Sequence, residues 1–149
     1  MIFEFFSPKT KKLNDSQQKE VADFLFKHLD EFGDNYQAIM RCIIFAMDDK
    51  TKFGGFIVVA RDNGKIAGAV IVNKTGMSGY IPENILVYIA VHKEYRGKGL
   101  GKELMLKTFE HAEGDIKLHV EQNNPARFLY EKLGFTSKYL EMRYYKEKK

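Results

Sequence analysis

The chain has 149 residues, of which 44% are hydrophobic and 30% charged, with a formal net charge of +4, the make-up of one ordinary globular domain. No apolar run approaches the roughly 18 residues of a membrane span, and Met1–Pro8 lacks the basic start and long apolar core of a signal peptide. A single cysteine, Cys42, allows no internal disulfide and fits a reducing, cytoplasmic setting, while the charge is too mild to argue for nucleic acid.

In chain order, Phe3–Phe6 reads as a strand. Asp15 with Gln18 resembles a capping box, and Val21, Leu25, Leu29 and Phe32 recur at helical spacing, which predicts a helix over about 16–31. Gly33 breaks it, and Tyr36, Ile39, Met40, Ile43 and Met47 mark a second helix. Residues 56–60 and 66–72 are β-rich and flank Asn63-Gly64, a two-residue hairpin signal. A loop from Asn73 to Asn84 leads to an apolar strand over 85–91 and then a helix over about 98–112. Residues 116–121 alternate like a strand. Asn124-Pro125 reads as an N-cap with proline at the first helical position, Ala126, Leu129, Tyr130 and Leu133 give the next helix an apolar face, and Gly134 ends it. Leu140–Tyr144 reads as a last strand. The order β-α-α-β-β-β-α-β-α-β implies an α/β fold over 1–149 in which helices flank a mixed, mostly antiparallel sheet.

The segment between the strand at 85–91 and its helix carries the chemistry. His92–Lys102 holds Lys93, Arg96, Lys98 and Lys102 against one acid, Glu94, around Gly97, Gly99 and Gly101. A glycine-rich turn at a helix N-terminus presents backbone N–H groups and the positive end of the helix dipole, which suits a phosphate. A plain helix cap with solvated lysines is the alternative. The P-loop pattern fails, because Glu103 stands where Ser or Thr would bind magnesium and Arg96 where the first glycine would be. The dinucleotide fingerprint also fails, because Leu104 occupies the third glycine's place.

Arg96-x-x-Gly99-x-Gly101 is similar to the Q/R-x-x-G-x-G/A signature of the GNAT superfamily of N-acetyltransferases. Tyr88-Ile89-Ala90-Val91 resembles that family's bulged central strand, and Leu118–Phe135 its second motif region. The resemblance implies acetyl-CoA as co-substrate and direct attack by a primary amine, from a small molecule or a peptide, in a ternary complex. A non-catalytic acyl-CoA-binding module of the same fold is the alternative, and a homodimer is common in the family.

By the same resemblance, the pyrophosphate would lie on the N–H groups of Gly97, Lys98, Gly99, Leu100 and Gly101, with Arg96 and Lys102 adding charge. Ile89, Ala90 and Val91 would pair with the pantetheine arm, and the Val91 N–H would polarise the thioester carbonyl. Asn124 would hold the arm or simply cap its helix, with Asn123 one residue away. Tyr130 would protonate the leaving thiolate, or is a core tyrosine on its helix's apolar face. The base is open. Residues 85–91 hold no carboxylate, which leaves Glu83, His119, Glu121 or a solvent relay. The acceptor is expected opposite CoA, with Tyr36, Phe45, Met47, Tyr80 and Glu83 as candidate lining. The acids at 30–34 and 48–49 either favour a cationic acceptor or are solubility charges at helix ends. The four histidines form no ligand motif, so no metal is expected.

Overall fold

Strand β1 (Ile2–Phe6) pairs antiparallel with β2 (Gly55–Asp62), β2 with β3 (Lys65–Lys74) and β3 with β4 (Asn84–Val91), while β5 (Ile116–Leu118) joins β4 in parallel. This mixed sheet, in the order β1-β2-β3-β4-β5, comes from a computed structural model that describes residues 1–50 and 52–147. Asn63 and Gly64 turn the β2–β3 hairpin with φ of 52° and 81°, the pair of left-handed residues that a tight hairpin needs.

Strand alternation sends Ile57, Val59, Ala69 and Ile71 to one face, where they form a core with Val21 and Leu25 of α1 (Asp15–His28) and Ile39 and Ile43 of α2 (Tyr36–Met47). Each Val, Leu or Ile among them, fully buried, contributes about 1.5–3 kcal/mol. The opposite face packs on α3 (Leu100–His111), whose Leu100, Leu104, Met105 and Thr108 are buried. A Cβ on Gly68 would meet Leu104 at 2.7 Å, so glycine there lets α3 approach the sheet.

The N-cap of α1 is Asn14, one residue before the expected Asp15. Asn14 Oδ1 accepts from the Gln17 N–H at 2.8 Å, and Gln17 Oε1 accepts from the Asn14 N–H at 2.9 Å. Asp15 becomes the first helical residue, where its charge complements the dipole. The helix ends at His28 rather than near 31, because Asp30 takes φ 54° and starts a short 3-10 turn over Asp30–Phe32.

In β4, Leu86 faces Val72 and Tyr88 faces Ile71, so Val87 is an extra residue without a partner. This bulge shifts the strand's phase. Leu86 shares a face with Val72, whereas Tyr88 and Ala90 join the core under α1 and α2.

The chain divides into two compact units at Leu118/His119. In the second, α4 (Ala126–Lys132) is followed by Gly134 with φ 104°. The strand expected over 140–144 does not form. Leu140, Met142 and Tyr144 are all more than 80% exposed, and this unit contains no other described strand to supply the ladder that alternation alone cannot. The strand expected over 116–121 stops at Leu118, since β4 offers partners only from Asn84 to Leu86. Among the described residues no helix is long and apolar enough to cross a membrane.

Candidate functional site

Past Leu86, β4 pairs with β3 alone, because β5 has ended. The His92 N–H donates to Ala67 O at 2.8 Å on the β3 side. By alternation Ala90 also faces β3, and Ile89 and Val91 turn their backbone groups to the open side. The chain then makes a 3-10 turn over Lys93–Tyr95, passes Arg96 in extended backbone, and reaches Gly97 at φ 76° and Gly99 at φ 86° before α3 begins. Among the described residues, no backbone carbonyl accepts from the six consecutive N–H groups of Gly97 to Lys102; the first turn-to-helix bond is Glu103 N–H to Gly99 O at 3.1 Å. Apart from the adjoining residues, no heavy atom of the described residues lies within 4 Å of a Cβ built on Gly97 or Gly99. The turn is thus a concavity of free donors at the positive end of a three-turn helix, which is an anion cradle.

Two braces fix it. The Tyr95 hydroxyl donates to Asp62 at the end of β2. Arg96 donates through Nε to Val91 O at 3.0 Å and through a terminal nitrogen to His28 O at 2.9 Å, and its other nitrogen lies 3.2 Å from Asp30. Its charge, expected to face the phosphate, is engaged at the end of α1 instead. Lys98 Nζ stands 5.9 Å over the Tyr95 ring, and the Lys98 and Lys102 residues are exposed.

Glu83 sits at the start of β4, where the Asp115 N–H donates to its Oε1 at 2.9 Å and holds its carboxyl below the usual range. At about 3.3 Å per residue, Val91 lies roughly 25 Å further along the strand. Glu83 thus anchors the loop at the end of β4 remote from Val91. Met47, proposed as acceptor lining, is 5% exposed within the core, and the Tyr36 hydroxyl donates to Asp23 at 2.9 Å.

In the second unit His119 and Glu121 are exposed in a loop, with no side-chain hydrogen bond or ion pair among the described residues. Asn124 Oδ1 accepts from the Ala126 N–H at 2.9 Å, so its amide oxygen caps α4. Tyr130 is buried on α4, its ring 6.0 Å from Phe135, and burial pushes its phenol up to about 12. Cys42 is likewise pushed up to about 12 by burial, which makes it an inert core thiol.

Two polar features escaped the sequence reading. The Tyr88 hydroxyl donates to Asp34 Oδ2 at 2.5 Å. His28 is buried with its Nδ1 unpartnered, its ring 4.3 Å from that of His92. The partners in each pair stand more than fifty residues apart, and no local periodicity connects them. Among the described residues no group of three or more His, Cys, Asp or Glu could hold a metal ion.

Comparison with known proteins places this geometry. A family model described as an acetyltransferase (GNAT) domain matches residues 53–137, from the approach to β2 through α4. A 5-NmdU N-acetyltransferase of Pseudomonas phage PaMx11 is 35% identical over 85 residues, which cover 55% of this chain and 58% of that one. A [ribosomal protein bS18]-alanine N-acetyltransferase of Haemophilus influenzae is 35% identical over 88 residues, covering 56% and 57%. The chain thus spans less than two thirds of the length of these curated relatives. The crystal structure of a ribosomal-protein-alanine N-acetyltransferase from Brucella melitensis shares the fold, with a TM-score of 0.65 over 99% of this chain and all of that one at 18% identity. The bulged strand, the donor-lined turn and the family match lead to one conclusion: the chain belongs to the GNAT acetyltransferase family.

Proposed function

We propose that this protein transfers an acetyl group from acetyl-CoA to a primary amine, by direct attack within a ternary complex in a reducing cytoplasm. The observation that carries the reading is the run of six N–H groups from Gly97 to Lys102 that have no acceptor among the described residues, one turn away from the open edge of β4. A diphosphate suits such a cradle. An extended amide chain leaving it suits the outward backbone groups of Ile89 and the Val91 N–H, as an added strand would.

In this reading Lys98 and Lys102 add charge over the phosphates, and Arg96 holds the turn in place. The Val91 N–H faces the thioester oxygen and stabilises the charge that develops there. Tyr130, protonated throughout the physiological range, gives its proton to the departing thiolate. An alkyl ammonium with a pKa near 10.4 must lose a proton before it attacks. That proton leaves through water, with His119 and Glu121 as the exposed groups to receive it.

Isothermal calorimetry with CoA, followed by thiol-release assays across an amine panel, tests the proposal. Binding in the micromolar range with acceptor-dependent thiol release is expected. No CoA binding refutes it, and binding without turnover on any amine leaves the acyl-CoA-binding module in its place.

A further inference from the structure

Of the five acids near the ends of α1 and α2, three are engaged. Asp30 faces Arg96 at 3.2 Å, Asp49 faces Lys12 at 3.4 Å, and the Asp48 carboxylate accepts from the Lys50 N–H at 2.8 Å. Glu31 is exposed on the 3-10 turn. Asp34 differs from all of them. It is exposed, yet one of its oxygens is held at 2.5 Å by the hydroxyl of Tyr88, a residue 7% exposed in the open half of β4. Burial and the Asp34 carboxylate both push the Tyr88 phenol upward, so it stays a donor. Among the described residues no Lys or Arg stands within ion-pair distance of Asp34. The result is an exposed carboxylate held at one oxygen by Tyr88, whose second oxygen has no hydrogen-bond or ion-pair partner among the described residues.

Two arguments say what it holds. The nitrogen that attacks a thioester must be neutral, and a carboxylate bound to it would favour its protonated form. The hydroxyl of Tyr88 also holds Asp34 at the tip of that side chain, away from the backbone of β4 that the thioester would follow. Asp34 is therefore badly placed for the reacting amine and well placed for a second positive charge on the same molecule. Resting on the acetyltransferase reading above, we infer that Asp34, positioned by Tyr88, is the counter-ion for a second ammonium of the acceptor, so that the preferred acceptors are diamines.

The test compares 1,4-diaminobutane with butylamine. With acetyl-CoA, the wild type should favour the diamine about tenfold in kcat/KM, the size of one charge-assisted hydrogen bond. Asp34→Asn should bring that ratio close to one through the KM for the diamine. Tyr88→Phe should lower the ratio part-way, and Glu31→Gln should leave it intact. Calorimetric titration of 1,4-diaminobutane into the CoA-loaded protein provides a readout independent of turnover, with binding weakened in Asp34→Asn. A wild type that treats both amines alike, or an Asp34→Asn variant that keeps the preference, overturns the inference. Failure to bind CoA refutes the acetyltransferase reading instead.

Discussion

Arg96 donates to the backbone carbonyl of His28 at 2.9 Å, and this one bond ties the glycine turn to the end of α1 across 68 residues of chain. With the bonds to Val91 O and Asp30, the guanidinium acts as a fork that sets where the turn begins.

Arg96→Lys therefore tests brace against charge. Lysine keeps the cation but cannot span three acceptors in a plane. The variant should lose about 1–2 kcal/mol of stability, read by urea denaturation of the ligand-free protein, and CoA affinity should fall with it. Unchanged stability would mean that the fork contributes little and that the charge alone matters.

Gly99→Ala separates folding from binding. A methyl group meets no atom within 4 Å, but φ is 86°, so the ligand-free protein should lose only about 1 kcal/mol from left-handed backbone. CoA affinity should drop more than tenfold, because the methyl stands where a phosphate would approach. Calorimetry and thermal melts on the same samples decide it, and intact affinity would place the phosphate elsewhere.

Tyr130→Phe removes one proton. With the phenol raised to about 12 by burial, no Tyr130 limb should appear in a pH–rate profile between neutral and mildly alkaline pH. The variant should lose roughly 10²-fold or more in kcat while CoA affinity and melting temperature hold. Equal rates for variant and wild type would return Tyr130 to the core.

His28 supplies the pH dependence. Burial first, then the neighbouring His92, Lys27 and Arg96, push its imidazole below its ordinary value. The unfolded chain then binds a proton more readily than the folded one. Stability is full above the ordinary histidine pKa of about 6.5 and is lost as pH falls below it toward the folded value. His28→Leu should flatten thermal stability between pH 7 and pH 5, and an equally steep curve in the variant would assign the loss to other groups.

What the sequence revealed was local. The Asn63-Gly64 hairpin, the helical spacing of Val21 and Leu25, and the strand–turn–helix around Gly99 all follow from residues within a few positions of each other. Asn14 displaced Asp15 as cap because both can cap and only the backbone entry decides. Leu140–Tyr144 alternates as a strand should, but a ladder needs a neighbour that no alternation can encode. Glu83 looked close to the site because it is close in sequence, whereas an extended strand carries it to the far end. The links from Arg96 to Asp30 and from Tyr88 to Asp34 join distant segments, and only the fold brings them together.

The early end of β5 has a consequence beyond the site. Because β5 ends opposite Leu86, the outward backbone groups of Ile89 and the Val91 N–H have no strand partner among the described residues, and such edges recruit foreign strands. A ligand lying along that edge satisfies the same groups that would otherwise seed self-association. CoA should therefore act as a solubility factor, suppressing light scattering of the heated protein at concentrations that track its occupancy.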